Sequence, residues 1–215
     1  MLVQFAATLR CWYVRFFLTI LIVTAFSSVA LAQTTVVRVE EDWELVVATP
    51  DPGSDSPQVT CVISPYGNLD SYYATFEINH QSEAFDAGGL QLQIWQGESL
   101  IGDKGYPNHN ILSTDGETVA WTQSLEIRDG VVTFEITNGS SSTWGTFGGQ
   151  GYLKAMVPTE LGSLGSYSPS ISTQETGVSY ASNRVSSLTL KAVRYYDEEG
   201  KLISEDSAPK VVHSL

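Results

Sequence analysis

The sequence predicts an all-β protein built as an antiparallel β-sandwich, on three observations. From Gln33 to Leu215 the apolar residues recur at every second position rather than every 3.6, the spacing of strands buried on one face. Turn-forming groups such as Asp51-Pro52-Gly53, Asp115-Gly116, Asp129-Gly130 and Asn138-Gly139 divide these runs. No segment after residue 32 carries a sustained helical stripe. Many short strands, each with one apolar face, need a second sheet against which to bury it. A composition of 42% hydrophobic and 16% charged residues supports such a core and excludes intrinsic disorder, while a formal charge of −13 speaks against a nucleic-acid ligand.

Residues 1–32 read as a signal peptide preceding a single domain over 33–215. Arg10 and Arg15 give a positive start, 16–26 (FFLTILIVTAF) is an apolar run, and Ala30-Leu31-Ala32 is a small-x-small cleavage site. The expected location is secreted, periplasmic or in the cell envelope, with no membrane span after cleavage. The alternative is a retained N-terminal anchor, because residues 16–32 are about the shortest run that crosses a hydrocarbon core. Cleavage removes Arg10 and Arg15 from 11 basic residues against 24 acidic ones, taking the charge from −13 to −15. It also removes Cys11 and leaves Cys61 without an intrachain partner. Cys61 shares the alternate face of 58–64 (QVTCVIS) with Val59 and Ile63, which reads as a buried small hydrophobe.

The strands are expected over 35–41, 43–49, 58–64, 72–80, 89–96, 117–128, 131–138, 143–147, 151–157, 184–196 and 201–205. The firmest unit is the hairpin 117–138. Val119, Trp121, Leu125 and Ile127 share one face of its first arm, interrupted by Gln123; Val132, Phe134 and Ile136 share one face of the second. Asp129-Gly130 between the arms suits the positive φ angles of a two-residue turn. A second hairpin is expected around Asp197-Glu198-Glu199-Gly200, and 210–213 reads as a returning edge strand.

Residues 72–80 (YYATFEINH), 89–96 (GLQLQIWQ) and the hairpin through Asn138 together resemble the concanavalin-like and laminin-G-like jelly rolls, β-sandwiches of two curved sheets. That resemblance implies a glycan-related role, since many members bind or cleave saccharides. The Glu-x-Asp-x-x-Glu strand motif of the glucanase branch is absent. Another carboxylate pair, Glu77 and Glu135, is expected to face outward on its strands and to line the exposed face of one sheet. That is also what a solvated sheet face looks like.

Other chemistries have less to stand on. His80 reads as a half-buried structural residue at a strand end, and no Gly-x-Ser-x-Gly elbow supplies a nucleophile for a hydrolytic triad. Asp103, Asn108 and Asn110 around His109 make calcium the one plausible ion, although the loop lacks a regular acidic alternation.

Two segments have the composition of ligand-facing loops. Residues 138–152 (NGSSSTWGTFGGQGY) set Trp144, Phe147 and Tyr152 among small polar residues, as a saccharide site requires. In the competing reading Trp144 and Phe147 plug the end of the sandwich. Residues 162–183 are rich in Ser, Gly, Thr and Tyr, with Tyr167 and Tyr180 as the candidate contacts and Ile171 and Val178 as possible strand anchors. The leading expectation is a secreted, non-catalytic protein binding a glycan or another extracellular surface component, with a neutral polysaccharide as the first partner to look for, through Trp144, with Trp95 or Tyr106, and no required cofactor. The alternative is a structural or assembly protein acting by contact with an envelope or extracellular protein. An atypical glycoside hydrolase comes third.

Overall fold

A computed structural model describes residues 35–49, 56–79, 89–108 and 110–215. The expected signal peptide, His80 and His109 lie outside the described residues. The described chain forms two antiparallel sheets, as the alternation predicts. The larger contains eight strands: β1 (Arg38–Val47), β6 (Thr118–Arg128), β7 (Val131–Ser141), β8 (Gly145–Phe147), β9 (Lys154–Pro158), β11 (Val185–Tyr196), β12 (Leu202–Asp206) and β13 (Lys210–Ser214). Its order is β12-β11-β1-β6-β7-β8; β13 shares an edge of β11 with β12, and β9 shares an edge of β7 with β8. The smaller sheet has the order β10-β2-β3-β4-β5, formed by β10 (Gly177–Tyr180), β2 (Gln58–Ile63), β3 (Tyr72–Ile78), β4 (Leu90–Gln96) and β5 (Ser99–Gly105).

The two inner faces meet in one core. Phe76 of β3 packs edge-on against Trp121 of β6 at 5.6 Å between ring centres, and Trp121 stacks on Trp43 of β1 at 6.3 Å. Trp43, Trp121, Phe76 and Phe134 are all almost fully buried. Each such side chain contributes roughly 1.5–3 kcal/mol of burial free energy, so these rings anchor the two layers to each other. The Asp129-Gly130 turn has φ of 52° and 73°, the pair of positive angles that a type I′ turn uses to match strand twist. Gly200, at φ 76°, closes the second hairpin as expected.

Three expectations need correction. The two strands foreseen at 35–41 and 43–49 are one, β1. The acidic triplet between them does not break it, because Glu40 and Asp42 point outward to Arg194 while Glu41 points inward. The pairing of β1 with β11 shifts register between Asp42 and Trp43, where Lys191 is the extra residue on β11. Ser99–Gly105, not foreseen as a strand, is β5; two glycines and an Asp-Lys pair hide its alternation, and an edge strand buries little that would impose one. The helix α1 (Pro169–Glu175) lies inside the expected loop. Ser168 caps it by accepting from the Ser170 N–H and proline sits in its first turn, but seven residues are too few to show a periodic stripe. No helix among the described residues is long and apolar enough to cross a membrane.

Candidate functional site

The outward face of the five-stranded sheet gathers polar and aromatic side chains in three ranks. Strand register aligns Thr60, Glu77 and Gln91 in the first, Val62, Thr75, Gln93 and Asp103 in the second, and Tyr73, Trp95 and Leu100 in the third. Their neighbours along each strand, Cys61, Phe76, Leu92 and Ile94 among them, are buried in the core. The outward position of the ranks therefore follows from the two-residue period alone.

These side chains are ordered by hydrogen bonds. The Trp95 indole N–H donates to Gln93 Oε1 at 3.0 Å, Gln93 Nε2 donates to Gln91 Oε1 at 3.1 Å, and Gln91 Nε2 donates to Asp103 Oδ2 at 3.4 Å. An indole can only donate and a carboxylate can only accept, so the two ends of this chain fix the orientation of both amides between them. Thr60 donates to Glu77 Oε2 at 2.7 Å, and Tyr73 donates to the Gly97 carbonyl at 3.3 Å. Trp95, Tyr73 and Gln91 are half-buried, Asp103 is exposed, and Gln93 and Thr75 form the floor. The Thr75 hydroxyl is buried and has no hydrogen-bond partner. Strands β2, β3 and β4 contain no Lys or Arg.

The other aromatic candidates lie elsewhere. Tyr106, Trp144, Phe147 and Tyr152 come together in one cluster, with ring centres 5.1 Å apart for Tyr106–Tyr152 and 6.4 Å for Trp144–Phe147. Trp144 is 3% exposed and Phe147 1%, so neither offers a ring face to a ligand. The Trp144 indole donates to the Asn110 carbonyl at 2.8 Å, and the Tyr106 hydroxyl, half-buried above it, donates to the Trp144 carbonyl at 3.2 Å. Phe147 also explains Gly139: a Cβ there would lie 2.1 Å from the Phe147 ring. This is the plug that the sequence offered as the competing reading. Tyr180 is 50% exposed on β10, the opposite edge of the five-stranded sheet from β5.

Tyr167 points inward, where it donates to Glu41 Oε1 at 2.5 Å. Glu41 is fully buried between the sheets, and its other oxygen accepts from the Trp43 indole at 3.0 Å. Burial pushes its pKa up to about 7, against the pull of the Ser172, Tyr167 and Trp43 side chains and of Lys210. Burial also pushes the Tyr167 hydroxyl and the Cys61 thiol well above their ordinary ranges, aided in both by Glu41.

Glu77 and Glu135 do not share a sheet face. Glu77 lies on the outer face of the smaller sheet, whereas Glu135 lies on β7 of the larger one, opposite in direction to its buried neighbour Phe134 and paired with Lys154 at 3.0 Å. They project from opposite sides of the sandwich and cannot flank one glycosidic bond. Among the described residues no group of three or more His, Cys, Asp or Glu side chains converges to hold a metal ion. Asn108 Oδ1 accepts from the Asn110 N–H at 3.0 Å, and Asn110 Nδ2 donates to the Thr143 carbonyl at 3.1 Å, so both amides serve the fold of their loop.

The sequence signal for the outer face was present but unassembled. Gln91, Gln93 and Trp95 alternate with Leu90, Leu92 and Ile94, and Tyr73, Thr75 and Glu77 alternate with core residues of β3. Strand order was needed to set the two series side by side. No protein-family model matches the chain, and no curated protein matches it.

Proposed function

We propose that the protein is an exported, non-catalytic β-sandwich of the jelly-roll, concanavalin-like kind that binds a neutral polysaccharide on the outer face of its five-stranded sheet. The observation that carries this reading is the half-buried Trp95 ring beside the oriented amides of Gln93 and Gln91. Sugar rings stack their apolar faces on aromatic planes while their hydroxyls require fixed donors and acceptors, and both are within one patch here. Tyr73, directly opposite Trp95 in register, supplies a second ring. The chain charge of −13 disfavours uronic-acid or phosphate polymers. The apolar leader at 16–26 supports a location where such polymers are met. Affinity electrophoresis in gels containing neutral polysaccharides tests the reading: Trp95→Ala is expected to abolish retardation with little change in Tm. Retardation unchanged in that variant contradicts it.

A second reading, contact with an envelope or extracellular protein, is favoured by the edge of β5, which pairs only with β4 among the described residues. Leu100 and Ile101 are 39% and 46% exposed there. Beside them a groove of about 410 Å³ between β5 and β9 is lined by apolar Ile94, Ile101 and Met156 and by charged Asp103, Lys104 and Lys154. An exposed edge strand with apolar side chains is a template for strand addition. Sedimentation velocity separates the readings: Ile101→Lys dissociates an assembly built on this edge and leaves polysaccharide binding intact.

A further inference from the structure

We infer that Gln93 is a positioning residue of the polysaccharide site: its side-chain oxygen holds the Trp95 ring in the plane on which a sugar stacks, and its amide does not itself meet the ligand. This rests on the polysaccharide-binding reading and deepens it. A tryptophan on a sheet surface has several staggered orientations open to it, and packing or hydrogen bonding selects one. In the core packing does so alone: Trp121 is 2% exposed and its indole N–H has no partner. Trp95 is half-buried, so part of its surface faces solvent, and its indole N–H donates to Gln93 Oε1 at 3.0 Å. Tyr73, the other ring of the same rank, is held by a main-chain acceptor, the Gly97 carbonyl at 3.3 Å. Of the two rings, Trp95 is the one whose direction depends on a neighbouring side chain.

The surroundings of Gln93 keep its oxygen turned to the ring. An indole N–H only donates, so it needs the oxygen of the amide and not the nitrogen. Gln93 Nε2 donates to Gln91 Oε1 at 3.1 Å, and Gln91 Nε2 donates to Asp103 Oδ2, which only accepts. Turning the Gln93 amide over would set its nitrogen against the indole N–H and its oxygen against Gln91 Oε1, so two contacts would be lost at once. Gln93 is 3% exposed, so a ligand meets the Trp95 ring and not the amide that holds it. A ring already held in its bound direction does not have to be ordered when the sugar arrives. Ordering one side chain on binding costs roughly threefold to tenfold in affinity, and that is the size of the contribution assigned to Gln93.

The test uses the protein in affinity gels containing hydroxyethylcellulose or galactomannan, with Tm and the Trp95 indole N–H signal of the ligand-free protein recorded for every variant. Gln93→Met keeps the length of the side chain and removes both hydrogen-bonding groups, while Gln91 keeps its bond to Asp103. The expected result is about threefold to tenfold weaker binding and a Trp95 indole signal that is shifted before any ligand is added. Tm should change little, because Trp95 and Gln91 are half-buried and the groups released turn to water. Trp95→Phe keeps a ring and removes the N–H through which Gln93 acts, so adding Gln93→Met to it is expected to cost no further affinity. Equal losses with and without the indole N–H mean that Gln93 acts apart from Trp95, and the inference fails. If Gln93→Met binds as the parent does while Trp95→Ala abolishes retardation, the role of Gln93 is overturned and the polysaccharide reading stands. If Gln93→Met and Gln93→Leu both fail to fold, Gln93 is structural and the inference fails. If the parent protein is retarded by neither neutral polymer, the reading and the inference both fall.

Discussion

The outer faces of the two sheets treat polar side chains in opposite ways. On the eight-stranded sheet charge is matched by charge. Arg194 makes a double hydrogen bond with Asp42 and also reaches Glu40 at 3.3 Å, Lys191 pairs with Glu44 at 3.1 Å, and Lys154 with Glu135 at 3.0 Å. The Arg38 guanidinium lies 4.0 Å from the Tyr196 ring centre. On the five-stranded sheet amides, hydroxyls and aromatic rings predominate, and the carboxylates of Glu77 and Asp103 accept from the neutral donors of Thr60 and Gln91. A surface whose groups satisfy one another is suited to meeting water. A surface with aromatic planes and residual hydrogen-bond capacity is suited to meeting a ligand.

Substitutions that separate scaffold from site sharpen this comparison, beginning with the largest effect. Trp144→Ala empties a buried position in the aromatic plug and is expected to destabilise the fold by about 3–5 kcal/mol in urea unfolding. The folded fraction should keep its polysaccharide affinity, in contrast to Trp95→Ala. A selective loss of affinity in Trp144→Ala at unchanged stability would break the division.

Next comes Glu41, whose neighbours on β1 make the contrast within three residues. Its native pKa of about 7 lies above the ordinary 4.5, so between those pH values the unfolded chain loses a proton that the folded chain keeps. The stability it contributes is complete below pH 4.5 and falls as pH rises to about 7, by about 3 kcal/mol. Glu41→Gln flattens that slope. The Asp42 carboxyl, just outside, behaves with the opposite sign. Its pKa is lowered by Arg194 and Thr122 despite partial burial, so its contribution is present above its unfolded value of 3.8 and is lost below that as acid protonates it. Urea titrations across this pH range separate the two.

Arg194→Ala removes the hub of the charged face and is expected to cost about 1–2 kcal/mol, less than a buried network because the groups remain partly solvated, with binding unaffected. Asp103→Asn has the smallest effect. It removes the acceptor-only end of the amide chain through a long 3.4 Å contact, so stability should change by less than about 0.5 kcal/mol while affinity drops slightly, a few-fold at most.

How much of this was legible depended on what each residue's neighbours revealed. The hairpin at Asp129-Gly130 was readable because few dipeptides tolerate two positive φ angles and the arms alternate cleanly on both sides. Residues 138–152 misdirected attention to Trp144 and Phe147, since small polar residues around aromatic rings describe a plug under glycine-rich turns as well as a sugar site. Only tertiary packing separates the two. Trp95 was a candidate from the start, but its partners Gln91 and Gln93 gained meaning once register set them beside Tyr73, Thr75 and Asp103. Glu41 was unreadable: in Glu40-Glu41-Asp42 nothing local says which acid turns inward, and Tyr167, which donates to it, lies 126 residues away.

The central claim is that the five-stranded sheet, and not the aromatic plug or the β5 edge, meets the ligand. Nitrogen-detected NMR of the indole and side-chain amide groups during titration with hydroxyethylcellulose or galactomannan tests it directly. The account predicts that signals of Trp95, Gln91 and Gln93 shift in a saturable way while those of Trp43, Trp121 and Trp144 stay in place. Saturating polysaccharide that leaves the Trp95, Gln91 and Gln93 signals unmoved, or shifts confined to the Trp144 indole, would contradict it.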